Sequence, residues 1–462
     1  MSYIGRVSYG YDDRYLVDFS FRYDGSCLYA PEKRWGFFPV GSVAWRISEE
    51  NFMQNQNVVS NLKIRASYGL VGEDSGLPFQ YIQGFSVTGG RGYEFTNGTW
   101  TEGAASPGII NRELTWFTSS IADIGLDMGF WDDRISFSFD VYQRDRQGLL
   151  ATRLLSLPNT FGASLPQENL NSDRTLGYDL AVTFRHRIND FNFSISGNFN
   201  YARTMNRYVE HAGFSSSMER WRNGVAYRWS DVYWGCVYDG QFQSEEEILN
   251  APVYSPYLGN AKILPGDFKY KDVNEDGIID SNDYLPLFYG GYPKIFYGLT
   301  LAFDWKGLDF SMLLQGSGLN TVRFSGVYAE IFAQNLNTPA YFYDRWHRED
   351  PYDDTSRWIP GKWPASRFIS DAGAMYNESS VWRRDASYLR LKNISIGYTF
   401  PAKWFRKLRI TKARVYFNAN NVFTICDPFV RAFDPEKAEG LDNLGFNYPL
   451  MQSYNIGLNI EF

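Results

Sequence analysis

Residues 272–283, in the middle of the chain, carry oxygen-bearing side chains at the spacing of a calcium-binding loop. Such side chains stand at the first, third, fifth, ninth and twelfth positions, and the seventh residue would offer its backbone carbonyl. The six candidate ligands are Asp272, Asn274, Asp276, Ile278, Asp280 and Asp283. Gly277 occupies the sixth position, where the loop turns sharply, and Ca²⁺ takes about six to eight oxygen ligands at once. The pattern predicts a Ca²⁺ site with a structural role.

The same residues also allow an interpretation without metal. The last ligand position holds aspartate where an EF-hand loop has glutamate, as in shorter dockerin-type loops, and flanking helices are not evident. Asn and Asp are common turn formers because their short side chains hydrogen-bond to nearby backbone groups. An acidic hairpin within a long loop is therefore the alternative.

Four tryptophans in the second half of the chain are candidates for a binding surface. They are Trp346, Trp358, Trp363 and Trp382. Flat aromatic side chains suit the CH faces of sugar rings, which predicts substrate binding, whereas packing within a loop explains the same residues without a ligand. The carboxylates are too scattered to define an acid–base pair, and neither a nucleophile elbow nor a phosphate-binding loop occurs. We therefore expect a protein that is not an enzyme.

Composition narrows the class of protein that holds these residues. The 462 residues carry a net charge of −7, so a basic face for nucleic acid is not expected. Aromatic residues make up 18% of the chain, and the absence of a run of 18 apolar residues excludes membrane-spanning helices. A β-barrel fits both facts, because it has aromatic girdles at the membrane interfaces and a polar lumen. The three distant cysteines, Cys27, Cys236 and Cys426, predict neither a disulfide framework nor a zinc site.

Apolar and polar residues alternate along most of the chain, which predicts an all-β fold. We expect about thirteen antiparallel strands of about nine residues or more, the length that crosses a bilayer when tilted. The apolar phase slips between Leu391 and Ile394, which predicts a β-bulge. Short polar turns alternate with long loops at about 72–112, 149–173, 205–290, 318–386 and 425–450. This asymmetry is typical of transmembrane barrels, whereas a β-sandwich would have comparable loops at both ends.

The last predicted strand carries apolar residues at every second position. They are Tyr454, Ile456, Leu458, Ile460 and Phe462. A terminal aromatic residue on such a strand resembles the signal that the outer-membrane barrel assembly machinery reads. An ordinary last strand would show the same alternation, so the final Phe462 is the feature that favours an assembly signal.

Several motifs resemble those of the SusC/RagA family of TonB-dependent outer-membrane transporters. They follow one another in the family's order: GFFPVGSVAWRIS at 36–48, LKIRASYG at 62–69, PGDFKYKD at 265–272, YLRLKN at 388–393 and ANNVFT at 419–424. Each motif alone is a generic strand sequence. Together they are specific, and the resemblance covers nearly the whole chain.

The resemblance implies a barrel of about 22 strands with an N-terminal plug inside it. It also implies a SusD-like surface lipoprotein as a lid, energy from an inner-membrane TonB–ExbB–ExbD complex, and import of oligosaccharides or peptides. Neither a plug nor a TonB-contacting segment precedes Tyr3, so we expect a C-terminal portion of the barrel that an N-terminal chain or segment completes. Strand parity agrees, because a last strand running to the periplasm would make the first strand here about the tenth.

Two other functions fit the same pattern. One is a carbohydrate-binding or adhesive surface protein that transports nothing, and the other is a TonB-dependent importer of siderophores or cobalamin. A plug-bearing partner chain would argue against the first, and a copurifying SusD-like lipoprotein would argue against the second. The sequence names no substrate, because specificity would lie in the loops and the plug.

Overall fold

The computed structural model describes residues 1–105, 108–154, 165–255, 257–329, 331–332, 336–367, 378–436 and 448–462. They form two compact units. Unit 1 comprises Met1–Arg185 and Asn200–Ser230, and unit 2 comprises His186–Phe199 and Asp231–Phe462. Antiparallel strands dominate both units, which confirms the all-β fold predicted from the alternation of apolar and polar residues.

Unit 1 contains one large antiparallel sheet, a separate hairpin and a short helix. Its strands are β1 (Ser2–Tyr11), β2 (Tyr15–Gly25), β3 (Trp35–Arg46), β4 (Val59–Glu73), β5 (Ser86–Thr96), β6 (Thr99–Ala105), β7 (Phe117–Phe130), β8 (Ile135–Thr152), β9 (Gln167–Ile188) and β10 (Phe191–Tyr208), and its helix is α1 (Ser217–Asn223). The order in the sheet is β1-β2-β3-β4-β7-β8-β9-β10, with β5 and β6 paired apart from it. The last residues of β9 and the first of β10 belong to unit 2.

Unit 2 contains further long strands and several short pairs within its loops. Its strands are β11 (Val232–Gly235), β12 (Tyr238–Gln241), β13 (Phe268–Tyr270), β14 (Leu285–Tyr289), β15 (Ile295–Trp305), β16 (Leu308–Gly318), β17 (Thr321–Arg323), β18 (His347–Arg348), β19 (Trp358–Ile359), β20 (Arg383–Asp385), β21 (Tyr388–Phe400), β22 (Lys412–Asn420), β23 (Thr424–Cys426) and β24 (Ser453–Glu461). Its helices are α2 (Glu245–Leu249) and α3 (Pro428–Arg431). The sheet order is β15-β16-β21-β22-β24, with β23 beside the start of β21.

The shortest connections are tight turns whose residues adopt left-handed backbone conformations. Asp12 and Asp13 join β1 to β2 with φ of 51° and 50°, and Lys306 and Gly307 join β15 to β16 with φ of 46° and 90°. Positive φ at both central residues is the requirement of a type I′ turn, whose twist matches that of the flanking strands. These turns fix the register in which each pair of strands places its side chains.

Strands β8 and β9 are longer than the sequence analysis predicted. β8 continues to Thr152 and β9 begins at Gln167, although apolar alternation fades before these points. Cross-strand ion pairs take over from apolar contacts there, as between Arg174 and Asp145, whose Nη2 and Oδ2 are 2.9 Å apart. Opposite charges on facing strands stabilise pairing without an apolar stripe, so periodicity alone missed the extension.

The predicted bulge in β21 is confirmed, and one late strand ends earlier than predicted. Leu313 of β16 faces Asn393, whereas its neighbour Leu314 faces Leu391, so the intervening residue of β21 is the extra one. The predicted loop begins at about residue 425, yet β22 ends at Asn420, because Asn421 has a left-handed φ of 54°. The chain resumes pairing with β21 only in β23.

Aromatic side chains from separate loops form the hydrophobic core of unit 2. It contains Phe268, Tyr270, Phe324, Trp363 and Trp382, each less than 4% exposed. None of the three cysteines forms a disulfide. In the described parts of the chain, no helix has the length and hydropathy needed to span a membrane.

Candidate functional site

The two faces of the sheet in unit 1 have opposite chemistry. One face presents apolar side chains that are not covered, among them Val7, Phe19 and Val43 at 68%, 46% and 54% exposure. They lie side by side because Val7 is opposite Phe19 across β1 and β2, and Val43 follows two positions along the same face on β3. A water-soluble sheet buries its apolar face, so this surface requires an apolar surrounding of the kind a bilayer supplies.

Two groups of aromatic rings mark the ends of this apolar face. One group consists of Tyr3, Tyr23 and Trp35, with Tyr23 and Trp35 stacked at a centroid distance of 4.9 Å; the other consists of Tyr11, Tyr15 and Trp45, with Tyr15 and Trp45 stacked at 6.4 Å. Tyr3 and Tyr11 lie at opposite ends of β1, a separation of about 26 Å at about 3.3 Å per residue. A strand tilted by about 35–45° rises about 18–21 Å over that distance, so the two groups lie near the borders of the apolar band of about 25 Å, flanked by aromatic girdles, of an outer-membrane barrel.

Glu50 ties the second aromatic group to the chain beyond β3. Its Oε1 accepts hydrogen bonds from the Tyr15 hydroxyl at 2.7 Å and from Trp45 Nε1 at 2.9 Å. These donors, the Tyr15 hydroxyl first, hold the pKa of Glu50 below its ordinary value. The polar atoms of both rings thus bond to an ionised group, while the rings themselves belong to the apolar face. Tyr and Trp favour a membrane interface because it offers them both surroundings at once.

Charged side chains crowd the opposite face of the sheet around Arg65. Its Nε is 3.1 Å from Asp127 Oδ2, and its Nη1 is 2.6 Å from Asp140 Oδ1. The three residues belong to β4, β7 and β8 and share a face because Arg65 pairs with Gly125, which in turn pairs with Asp140. A Cβ atom on Gly125 would lie only 2.5 Å from the Arg65 guanidinium carbon, so glycine is what admits this contact.

Further ion pairs continue this charged face towards the long-loop ends of β8 and β9. Arg146 Nε is 2.9 Å from Asp173 Oδ1, and Thr175 and Thr204 share a hydrogen bond of 2.9 Å. On β1 to β4 the same face lines an open cleft of about 510 Å³ that contains Arg6, Lys63 and Arg65. The sequence analysis did not single out these residues. The sequence feature that could have revealed them is the regular placement of charged residues between the apolar positions of the strands.

The predicted calcium loop is folded around backbone hydrogen bonds. Asp272 Oδ2 accepts from Gly277 N at 2.8 Å, and Asp276 Oδ1 accepts from Ile278 N at 2.9 Å. Asn274 Oδ1 accepts from Asp276 N at 3.2 Å, and Asp280 Oδ1 accepts from Asn282 N at 2.5 Å. Gly277 has φ of 80°, which agrees with the sharp turn expected at the sixth position.

Asp283 closes this loop from its fully buried position. Its Oδ1 accepts from Val273 N at 2.8 Å and its Oδ2 from Asp280 N at 2.9 Å, so one carboxylate joins both ends of the loop. Asp272 Oδ1 is buried without a hydrogen-bond partner, an oxygen that a cation would satisfy. Within the described residues, however, no three His, Cys, Asp or Glu side chains converge as metal ligands. Calcium binding here stays a prediction.

Three of the four predicted ligand-binding tryptophans are buried. Trp346, Trp363 and Trp382 are 3%, 3% and 2% exposed, and the last two stack on each other at 5.4 Å. Trp358 is half-buried, with the Arg348 guanidinium 4.4 Å above its ring. As placed, the buried indoles stabilise the core of unit 2, and stacking on a sugar would first require that they be uncovered.

The apolar residues of the last strand are exposed as an outward-facing stripe would be. Tyr454, Ile456, Leu458 and Ile460 of β24 are 42% to 82% exposed, and Phe462 is 83% exposed. Along one edge, the backbone of β24 pairs with that of β22 over the whole length of β24. This geometry agrees with a lipid-facing strand, and its use as an assembly signal stays a prediction.

Comparison with known proteins relates this architecture to a class of receptors. No family model matches the chain. The whole chain aligns with TonB-dependent receptor P3 of Formosa agariphila at 27% identity, covering 45% of that protein. It aligns equally fully with TonB-dependent receptor SusC of Bacteroides thetaiotaomicron at 26% identity, covering 44%. The chain thus spans about half the length of the curated relatives it matches.

The fold agrees with that relationship. The whole chain superposes on 47% of a chain in the structure of the RagAB peptide transporter, with a TM-score of 0.71 at 22% identity. For the open-open state of the RagAB peptide importer the TM-score is 0.73 at 21% identity, with 46% of that chain covered. In sequence and in fold, the chain is a homologue of the TonB-dependent receptors of the SusC/RagA kind and corresponds to a portion of their outer-membrane β-barrel.

Proposed function

We propose that this chain forms part of the wall of an outer-membrane transporter that imports a large nutrient with energy from TonB. The observation that carries the proposal is the reversed chemistry of the sheet. Its exposed face is apolar between two groups of aromatic rings, and its other face carries a network of ion pairs centred on Arg65. A wall with lipid on one side and a polar lumen on the other has this distribution.

The relatives support the proposed energy source and assembly. Proteins named TonB-dependent receptors align over the whole chain and are about twice its length, which supports a larger assembled protein. We propose that further polypeptide supplies the remaining strands and the plug, because a sheet with open edges in lipid leaves backbone N–H and C=O groups unpaired at several kcal/mol each. That polypeptide would also contact TonB–ExbB–ExbD, and the barrel assembly machinery would insert the whole.

The substrate class in this proposal is an oligosaccharide or a peptide. The RagAB relative is a peptide transporter by its title, and its fold is shared here at a TM-score of 0.71. A SusD-like lipoprotein is proposed as the partner that covers the long loops of unit 2. Those loops contain a hydrophobic core of their own, so they would offer such a partner a surface that is already ordered. The proposed role is transport, with no catalytic step assigned to any residue.

Uptake measured in intact cells tests the proposal. We would compare the wild-type strain with strains lacking this gene or TonB, using fluorescently labelled oligosaccharide and peptide pools. Loss of periplasmic uptake of one pool in both mutants is expected. Normal uptake in the gene deletion, with loss only of surface binding or adhesion, would instead support a non-transporting surface protein. Loss of siderophore or cobalamin uptake alone would support the other type of importer.

A further inference from the structure

An open cleft of about 1000 Å³ lies in unit 1 beside the end of β10. β10 starts at the short turn after Ile188 and ends at Tyr208, so the cleft is at the long-loop end of the strand. Backbone hydrogen bonds fix one wall of the cleft to β10. Tyr227 N donates to Asn206 O at 2.7 Å, and Asn206 N donates to Arg228 O at 2.8 Å. The cleft is therefore built on a barrel strand.

The cleft offers a positive charge that its surroundings leave unneutralised. Arg220 is exposed, and within the described part of the chain its guanidinium has neither an ion pair nor a hydrogen bond. The adjacent carboxylate of Glu219 bonds to Ser215 instead, because its Oε2 accepts from Ser215 N at 2.6 Å and from Ser215 Oγ at 2.5 Å. Arg220 therefore remains available to an anion from solution.

His211 supplies a second donor on the same cleft. Its Nδ1 accepts a hydrogen bond from Gly213 N at 3.1 Å, so the proton of the neutral ring is on Nε2. The ring stacks on Phe214 at a centroid distance of 4.6 Å, which holds its orientation. Arg220 and His211 therefore both offer hydrogen-bond donors to a ligand in the cleft.

Two exposed aromatic rings accompany these donors. Trp221 and Tyr227 line the cleft and are 45% and 67% exposed. Tyr227 has a left-handed φ of 60°, which a bulky side chain rarely adopts, and its backbone hydrogen bond to Asn206 maintains that conformation. Trp221 and Tyr227 therefore add aromatic surface to the cleft, with the Arg207 guanidinium 5.0 Å above the Tyr227 ring.

We infer that this cleft binds an acidic saccharide, one that carries carboxylate or sulfate groups. Arg220 pairs with the acidic group, His211 donates a hydrogen bond, and Trp221 stacks on a sugar ring. A peptide is a poorer fit because the wall offers it no free strand edge: the N–H groups of Tyr227, Arg228 and Ser230 already donate to Asn206, Val225 and Thr204. The inference names the substrate class of the proposed importer and rests on that proposed function.

Calorimetric titration of the receptor, purified from outer membranes with all polypeptides that accompany this chain, tests the inference without any transport step. The probes are tetragalacturonate, a κ-carrageenan tetrasaccharide, neutral maltotetraose and tetraglutamate. Either acidic saccharide should bind at least tenfold more tightly than maltotetraose and tetraglutamate. R220Q should weaken that binding about tenfold or more, as loss of one charge-assisted hydrogen bond would.

The matched control is R357Q, which alters an exposed arginine that pairs with Glu349 far along the chain. It should leave binding unchanged, and heat-modifiable migration on gels should show that both variants are folded. Equal binding of maltotetraose, preference for tetraglutamate, binding of no probe, or full affinity in folded R220Q would each overturn the inference. Because titration needs no energy source, acidic saccharide binding in a receptor that fails to import would contradict the proposed function alone.

Discussion

Arg390 and Asp434 form an ion pair in which the side chains are only 4% and 3% exposed, with 2.6 Å between Nη2 and Oδ1. The same guanidinium reaches Glu436, whose Oε1 is 2.7 Å from Lys392 Nζ. The other oxygen of Asp434 accepts from Leu450 N at 2.7 Å. This network holds the chain after α3 against β21, beside the bulge.

Asp434→Asn should destabilise residues 427–436 and their contact with Leu450, because Arg390 would stay buried with only Glu436 to balance its charge. Removing one partner of a buried ion pair costs about 3–5 kcal/mol, and Glu436 would offset some of that loss. Hydrogen exchange followed by mass spectrometry should show faster exchange of the Leu450 amide and of residues 427–436. Glu349→Gln, which breaks an exposed pair with Arg357, is the control and should cost less than about 1 kcal/mol. Unchanged exchange at Leu450 in Asp434→Asn would contradict this account of the network.

The Glu247–Lys269 pair should make one loop of unit 2 sensitive to acid. Lys269 Nζ lies 2.8 Å from Glu247 Oε1, and this bond, followed by donation from Gln243 N, lowers the pKa of Glu247 below 4.5. A carboxyl group with a lowered folded pKa stabilises the fold above pH 4.5 and loses that contribution as the pH falls through the folded pKa. Limited proteolysis should therefore cut residues 243–269 faster below pH 4.5 in the wild type. In the Glu247→Gln protein, the protease should cut these residues equally fast on both sides of that pH. An identical pH profile of cleavage for the two proteins would refute the role of Glu247.

The regular parts of the fold were predictable from the sequence because apolar and polar residues alternate along most of the strands. Alternation places Val7 and Phe19 each on the apolar face of its own strand, and the slip before Ile394 indicates the bulge. The extension of β8 and β9 was not visible, since cross-strand pairs such as Arg146 with Asp173 depend on register, which a single strand does not disclose.

The candidate sites were harder to predict because their residue types serve several purposes. Trp363 and Trp382 suit a sugar platform in composition, yet they stack on each other inside a core that loops distant in sequence create. Asp283 suits a metal ligand, yet its two oxygens already accept backbone hydrogen bonds. Conversely, the sequence analysis did not select Arg220. The sequence does not show that its neighbour Glu219 bonds to Ser215, which only the structure shows.

Calcium binding at residues 272–283 is testable through stability. If Asp272 Oδ1 and its neighbours bind Ca²⁺, saturation at a hundredfold excess over Kd should stabilise the loop by about 2.7 kcal/mol. Protection of this loop from protease should then rise with Ca²⁺ in the wild type and not in Asp272→Asn. Asp353→Asn removes the carboxylate of another acidic turn, where Oδ1 accepts from Thr355 N at 2.9 Å, and should keep the response. Equal protection with Ca²⁺ and with chelator in the wild type would favour the acidic hairpin.

Phe462 should matter for assembly more than for stability. Its ring is 83% exposed, so truncation removes few contacts, but it would remove the terminal aromatic residue of the proposed signal. Phe462→Glu should reduce the amount of heat-modifiable folded protein in outer membranes, whereas Phe462→Tyr should preserve it. If Phe462→Glu reached wild-type amounts, the alternation from Tyr454 would be only structural.

The central claim is that one face of the sheet meets lipid and the other meets a polar lumen, and spin-label accessibility measures this directly. Nitroxides would be attached at Phe19 or Val43 on the apolar face and at Ser20 or Ser42 on the other. Each position would be the single cysteine of a chain in which Cys27, Cys236 and Cys426 are changed to serine. In proteoliposomes, the ratio of relaxation by oxygen to relaxation by a water-soluble nickel complex should be high at Phe19 and Val43 and low at Ser20 and Ser42, because oxygen partitions into the bilayer. Equal ratios at all four positions, or the opposite alternation, would contradict the account.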